Sequence, residues 1–257
     1  MSASNLKPGA GNERFNAEAA TWDSNPFVRA RSLEAWKAIQ ARVPVLFGPD
    51  RTQSKPNVLE IGCGTGLLSL EVAPSAKRLV AIDAAEGMIR VLSSKLESPS
   101  SPDNIQPLAI LLEDPEDERL PPADEAEPRG PRLKYDLIIS NLVLHHIKDI
   151  KSMLITMFGC LKQGGVVALT DFEDFGPDAK RFHPEAKMAG VEHHGIGREW
   201  MAGLMEEVGF KDVNVEVEWE HPKLVEKYPG EFKNGKPAAG QGDLMTFTYV
   251  LCFGRRE

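Results

Sequence analysis

Cysteine is scarce in this chain, and the three that occur, Cys63, Cys160 and Cys252, have no CxxC spacing. That excludes a disulfide framework and a zinc finger, and it leaves no cluster of thiolates for a thiophilic metalloid. Positive charge is in deficit: 30 Lys and Arg stand against 38 Asp and Glu, for a net charge of -8 and a pI near 5.4. Such a balance gives no general attraction to nucleic acid, although a small basic pocket stays compatible with it. Long hydrophobic runs are missing too. No stretch reaches membrane-spanning length, and the opening MSASNLKPGAGNERF lacks the apolar centre of a signal peptide. The expectation is a cytoplasmic, or also nuclear, protein with no membrane partner and no metal.

The most informative stretch is Val58-Leu59-Glu60-Ile61-Gly62-Cys63-Gly64-Thr65-Gly66-Leu67-Leu68. Its apolar run reads as a strand buried on both faces. Three glycines at alternate positions follow, then a helix-compatible segment. Glycine accepts positive φ and lets a ligand approach the backbone with no Cβ between them. A dinucleotide fingerprint would need its third glycine where Leu67 stands, which disfavours a nicotinamide oxidoreductase, and a phosphate loop would need a following Gly-Lys-Ser/Thr. What remains is Glu60-x-Gly62-x-Gly64-x-Gly66. A second acid, Asp83, closes the next apolar run, where a carboxylate can accept from both hydroxyls of a ribose. Cys63 reads as a small side chain that fits the turn rather than as a nucleophile.

The segments VLEIGCGTG, LVAIDAAEGMI, YDLIISNLVLHHI and LKQGGVVALTDFE, in that order, resemble class I S-adenosylmethionine-dependent methyltransferases, in particular the small branch related to ubiquinone biosynthesis. The likeness runs from about Phe15 to Gly254. It implies an α/β fold, a Rossmann-like, doubly wound, mostly parallel seven-stranded sheet that ends in an antiparallel strand hairpin. It also implies S-adenosyl-L-methionine as cofactor and S-adenosyl-L-homocysteine as product. The organisation expected is a flexible tail over residues 1–12 and one domain over 13–257, with residues 13–45 forming a helical lid.

The rest of the chain fits this frame. Phe15, Ala19 and Trp22 share a helical face; the resemblance implies that this helix closes over the cofactor, and the plain alternative is core packing. Ala84 to Leu96 reads as a helix with Met88, Ile89 and Leu92 inward, and the resemblance sets a side chain near Met88 against the adenine. Gln106 to Leu112 is a third strand, ended by Glu113 and Asp114, from which an acid could accept from the adenine amino group. Eight acids between Glu113 and Glu127, with four prolines at 115, 121, 122 and 128, read as a solvated loop. Tyr135 to Asn141 and Val166 to Asp171 are the fourth and fifth strands. Ligands in an open parallel sheet sit beyond the carboxyl ends of the strands. Glu60, Asp83, Glu113, Asp114, Asn141, Asp171 and Phe172 all fall there. The expected cofactor set is therefore Trp22, Glu60, Gly62, Cys63, Gly64, Gly66, Asp83, Ala84, Met88, Glu113, Asp114 and Asn141.

Arg198 to Val208 reads as an amphipathic helix carrying Trp200, Leu204 and Val208. Val213 to Trp219 and Met245 to Phe253 alternate with period 2, the pattern of half-exposed strands; the insert from His221 to Asp243 between them reads as loop. Methyl transfer from a sulfonium is an in-line displacement, and it needs a base only where the acceptor atom starts protonated. Histidine suits that task. His145 and His146 follow the fourth strand in a Leu-His-His motif; the resemblance implies that it recurs in relatives with unrelated acceptors, so the pair reads first as hydrogen-bonded structural histidines. His193 and His194 lie in the long loop from Phe172 to Gly197, and such loops often carry function. The catalytic candidates are His194 first, then His193 and His146. A four-histidine metal site lacks supporting spacing. The reading is transfer of a methyl group to oxygen, nitrogen or carbon of a small molecule; the alternatives are a protein substrate or a cofactor-binding regulatory subunit without turnover.

Overall fold

The computed structural model describes residues 10–47 and 54–257. Its helices are α1 (Ala10–Glu18), α2 (Pro26–Arg42), α3 (Pro44–Phe47), α4 (Leu67–Val72), α5 (Glu86–Leu96), α6 (Ile150–Cys160) and α7 (Arg198–Val208). The strands are β1 (Asn57–Ile61), β2 (Arg78–Asp83), β3 (Ile105–Ala109), β4 (Tyr135–Asn141), β5 (Leu161–Phe172), β6 (Lys211–Val225) and β7 (Asp243–Arg255). They make one seven-stranded sheet in the order β3-β2-β1-β4-β5-β7-β6. β1 to β5 are mutually parallel, and β7 runs antiparallel to both β5 and β6. This is the expected Rossmann-like sheet, with its antiparallel hairpin inserted so that the last strand lies inside the sheet.

Strand periodicity sorts the core into two layers. Leu59, Ile61, Val80, Ile82 and Ile138 face α6 and α7 residues such as Leu154, Met157 and Met205. Their neighbours Val58, Leu79, Ala81, Leu137 and Ile139 pack with Trp36, Ile39, Leu68 and Leu92 of α2, α4 and α5. Both faces of the parallel strands are covered, which is why their sequences show no polar alternation. Pro107 is tolerated in β3 because that strand lies at the sheet edge. The turn from β1 into α4 reverses the chain direction at the centre of the sheet, where the order switches between β1 and β4. A crevice opens there beyond the strand ends.

Several expected boundaries move. Of the tail expected over 1–12, residues 1–9 lie outside the described residues, while Ala10 to Asn12 begin α1. The aromatic face of Phe15, Ala19 and Trp22 is kept, but the α-helix gives way to a 3₁₀ turn over Ala19–Ser24. β3 stops at Ala109, three residues short of the expected end, so Ile110 to Leu112 leave the sheet. His221 to Val225 are not loop: they extend β6 and pair with β7, Pro222 opposite Thr246. β7 is buried on both faces from Tyr249 to Phe253, since it has a neighbour on either side. On α7 the inward residues are Met201 and Met205, and Trp200 is exposed. Among the described residues no helix is long and apolar enough to cross a membrane.

Candidate functional site

Beyond the carboxyl ends of β1, β2 and β4 lies a cavity of about 990 Å3. Ligand pockets run from about 300 to 1,000 Å3, and this one stands at the upper end of that range. Its floor is the glycine turn. Gly62, Gly64 and Gly66 have φ of +71°, +54° and +83°, values that side-chain-bearing residues rarely adopt. Two of them are also forced by packing. A Cβ on Gly62 would meet Val143 at 2.4 Å, and one on Gly66 would meet Leu92 at 2.3 Å. At Gly64 the only nearby atom among the described residues is Trp22 Nε1 at 3.9 Å, so a Cβ there would project into the cavity. The cradle thus presents bare backbone to whatever fills it.

Asp83 locks the two turns together. One carboxylate oxygen accepts from Gly64 N–H at 2.8 Å and the other from Ala85 N–H at 2.7 Å. Lone pairs remain on both oxygens, and the residue lines the cavity. Burial pushes its pKa up, against the pull of those two amides. Glu60 is more deeply buried, accepts from Ser69 Oγ at 2.6 Å and is pushed up to about 8 by burial, so it is protonated at neutral pH. Cys63 shares the wall, and burial raises its thiol well above the ordinary value, which removes it as a thiolate nucleophile.

The N-terminal segment covers one side. Trp22 and Phe15 pack against Met88 and Ala85, with Phe15 and Trp22 in edge contact at 5.7 Å. Asn16 accepts from Gly87 N–H at 2.6 Å, and Asp23 accepts from Thr65 Oγ1 and pairs with Lys95. Glu60, Gly62, Cys63, Gly64, Asp83, Ala84, Met88, Trp22 and Asn141 therefore all line this one cavity.

At the other end stands a buried dyad. Asp171 closes β5 and is wholly buried; His145 sits in the 3₁₀ turn after β4 and is 2% exposed. His145 Nδ1 lies 2.8 and 3.0 Å from the two oxygens of Asp171, which also accept from the backbone N–H groups of His145 and Phe172. The carboxylate holds the proton on Nδ1, and Nε2 is buried with no partner among the described residues. His146 donates Nδ1–H to the carbonyl of Gly190 at 2.6 Å, which frees its Nε2 in the same way. His183, from the long loop, completes a trio whose ring nitrogens lie within 4.8 Å of one another. Burial, then the neighbouring His145, pushes His146 down to about 3 and His183 well below its ordinary value. Leu142 enters this region with φ +58°, a strained conformation for a branched side chain at a cavity wall.

Five expected residues are placed elsewhere. His194 is exposed and His193 gives Nε2 to the carbonyl of Ile147 beside Trp200; neither lines the cavity among the described residues. The reason is the path of the loop: Glu192 and His193 bond through their N–H groups to the carbonyl of His145, behind the dyad. The histidine this loop contributes to the cavity is His183, ten residues before His193, together with Phe182, Pro184 and Lys187. Glu113 and Asp114 are displaced by the early end of β3, and Ile110, Leu111 and Leu112 line the wall in their place. Asp114 caps the turn at Glu116 N–H, and Glu113 offers its carbonyl to Thr156. Gly66 stays in the turn, with its space taken by Leu92. His145, His183 and Lys223 were outside the expected site residues, and Asp171 was expected at the strand ends but given no role. Asp171, an acid at a strand end, carried a readable signal.

A family model described as a methyltransferase domain matches residues 31–215. An uncharacterised methyltransferase of Schizosaccharomyces pombe is 28% identical over 145 residues, 56% of this chain and 49% of that protein. A ubiquinone biosynthesis O-methyltransferase of Rhizobium rhizogenes is 26% identical over 164 residues, 60% of each chain. The chain thus spans about half to three-fifths of the length of these curated relatives. Among solved structures, a Bacillus halodurans protein described as a methyltransferase superposes with a TM-score of 0.60 at 16% identity, covering 86% of this chain and 98% of that one. The N-methyltransferase NodS of Bradyrhizobium japonicum, solved with S-adenosyl-L-homocysteine, gives 0.53 at 18% identity over 95% and 96%.

Proposed function

The chain belongs to the class I S-adenosylmethionine-dependent methyltransferases, and from that membership we propose that it methylates a small acceptor whose nucleophilic atom starts protonated. The cofactor of the family supplies an electrophilic methyl group on a sulfonium. The glycine cradle fits such a ligand: a Cβ at Gly64 would occupy the space that a bound nucleoside needs, and Asp83 has free lone pairs facing it for ribose hydroxyls. Met88 and Ile110 to Leu112 offer an apolar slot for the base, and Trp22 closes the side above Gly64. The intact cradle favours turnover over a purely regulatory role.

One observation carries the choice of acceptor: the unpartnered Nε2 of His145, oriented by the buried Asp171 on its other nitrogen. In this reading His145 accepts the acceptor's proton at Nε2, and Asp171 stabilises the imidazolium that forms. The hydroxyl of a phenol or alcohol, or an acidic carbon, needs such a base; a neutral amine or a thiolate does not. The N-terminal segment and Phe232, Asn234, Gly235, Lys236 and Pro237 of the loop after β6 both line the cavity, which supports a small molecule over a peptide. His146 and His183, kept neutral, serve as walls and hydrogen-bonding groups beside the base. The loop histidines His193 and His194 have no place in this arrangement.

The test is an extract incubated with purified protein and methyl-labelled S-adenosylmethionine. Label recovered in a small molecule, on oxygen or carbon, is the expected result. Label confined to protein, or to amine nitrogen, would overturn the reading of the acceptor.

A further inference from the structure

The acidic chain keeps a basic pocket. The acceptor end of the cavity is lined by Arg14, Lys187, Lys223 and Lys236, against one carboxylate on that side, Glu18, which Lys187 already engages at 3.0 Å. Lys223 projects from the extended end of β6 into an aromatic setting. Its ammonium lies 3.6 Å from the centre of the Phe182 ring and 4.4 Å from that of Phe27. It has no hydrogen bond or ion pair among the described residues. Arg31, fully buried, stacks on the same Phe27 at 3.8 Å and leaves Nη2 without a partner. Two cations at one aromatic ring, with no carboxylate between them, are costly to desolvate. Burial, Arg31 and Lys187 together press Lys223 down to about 7. The missing counter-charge is one that a ligand can bring.

The histidine trio beside it has the donors for a divalent metal, and Asp171 stands behind His145, but the charges that face His183 from the cavity are cationic. Lys223 and Arg14 both act on His183 as repelling charges. A dication would add to that repulsion, and an anion relieves it. We propose that the methyl acceptor is a small organic anion, its carboxylate held by Lys223 and its apolar or aromatic body extending from there toward His145. This rests on reading the cavity as the acceptor site. It names Lys223 as the specificity-determining residue.

Calorimetry on protein saturated with S-adenosyl-L-homocysteine tests it with 4-hydroxybenzoate and its uncharged isostere 4-hydroxybenzamide. The benzoate is expected to bind about ten- to a hundredfold more tightly, the scale of a charge-assisted hydrogen bond. Lys223→Met should bring the two to the same affinity, and Lys223→Arg should keep the preference, with S-adenosyl-L-homocysteine binding and thermal melting as controls of folding. Phenyl phosphate in a third arm separates the sources of charge: binding above that of the benzoate would overturn the carboxylate assignment. Equal binding of benzoate and amide, binding of neither, or a preference that survives Lys223→Met would overturn the proposal. So would zinc binding that is lost in His183→Ala with no preference for the anion. Failure of the wild-type chain to bind S-adenosyl-L-homocysteine would instead count against the cofactor reading, and is measured first.

Discussion

His145 and Asp171 form a buried pair in which one imidazole nitrogen is bound to both carboxylate oxygens, at 2.8 and 3.0 Å, and the other has no partner among the described residues. The two residues come from different strand ends, β4 and β5, which are neighbours in the sheet. Backbone N–H groups of His145 and Phe172 fix the carboxylate in turn. If Nε2 is the base, His145→Gln lowers kcat by about a hundredfold or more and leaves cofactor affinity in place. Asp171→Asn should have a comparable effect, because an amide allows the other tautomer. Single-turnover rates with the acceptor found by labelling check both. Full activity in His145→Gln would remove general-base catalysis from this site.

The glycine turn yields a prediction that separates binding from folding. Gly66→Ala places a Cβ 2.3 Å from buried Leu92 at a positive φ, so it should cost about 2–3 kcal/mol of stability. Gly64→Ala meets no atom closer than 3.9 Å and carries only the conformational cost, about 1–2 kcal/mol. Its Cβ nevertheless stands in the cavity, so S-adenosyl-L-homocysteine binding should fall by at least tenfold while folding is retained. Denaturant titration and calorimetry on the two variants give the comparison. Binding by Gly64→Ala as tight as wild type would mean that the ligand does not approach this backbone.

The glycine turn, the strand-end place of Asp83 and the mostly parallel seven-stranded sheet with its antiparallel hairpin were legible because backbone conformation and burial dictate residue type there. Glycine is almost the only residue for φ of +71° and +54°, and covered strands must be apolar. The acceptor end was not legible for the opposite reason. Its residues, His145, Asp171, His183 and Lys223, come from a strand-end turn, a strand end, a long loop and an antiparallel strand. Histidines 193 and 194 had the same local signal as His183, and only the path of the loop past His145 decides between them. Lys223 was hidden because Pro222 disguised the end of β6 as loop; the register with β7 is what carries it to the aromatic wall. The acidic stretch near Glu113 also misled, since Asp114 and Asp117 spend their oxygens on the N–H groups of their own turns.

The histidine wall makes stability depend on acid. His146, pushed down to about 3, and His183, also pushed down, resist protonation in the folded chain. In the unfolded chain both take up protons near the ordinary value of about 6.5. Their contribution is therefore whole above that pH and is lost as the pH falls toward their folded values, because the unfolded state binds more protons. The melting temperature should drop between about pH 6.5 and pH 3, more steeply than in a His146→Gln, His183→Gln double variant. Parallel melting curves for the two proteins across that window would place the acid sensitivity in other groups.

The N-terminal segment is held against the glycine turn and α5 by a few side-chain bonds, which gives a test of whether it acts as a lid. Asn16 reaches Gly87 N–H, Asp23 reaches Thr65 and Lys95, and Trp22 and Phe15 rest on Met88. These partners belong to the glycine turn and to α5, while Glu18 pairs with Lys187 of the long loop and Phe15 meets His146, so the segment bridges both ends of the cavity. The same segment lines the cavity through Phe15, Glu18, Thr21 and Trp22, and a bound nucleoside would add contacts to it. Closing it would exclude water from the sulfonium and complete the acceptor wall. Hydrogen exchange over residues 13–24 should then slow when S-adenosyl-L-homocysteine is added, while exchange in β4 and β5 stays the same. Trp22→Ala should weaken cofactor binding and abolish that protection. If residues 13–24 are equally protected with and without ligand, the helix is ordinary packing and the cavity must open elsewhere, with the loop of residues 226–242 on the opposite side the next segment to measure.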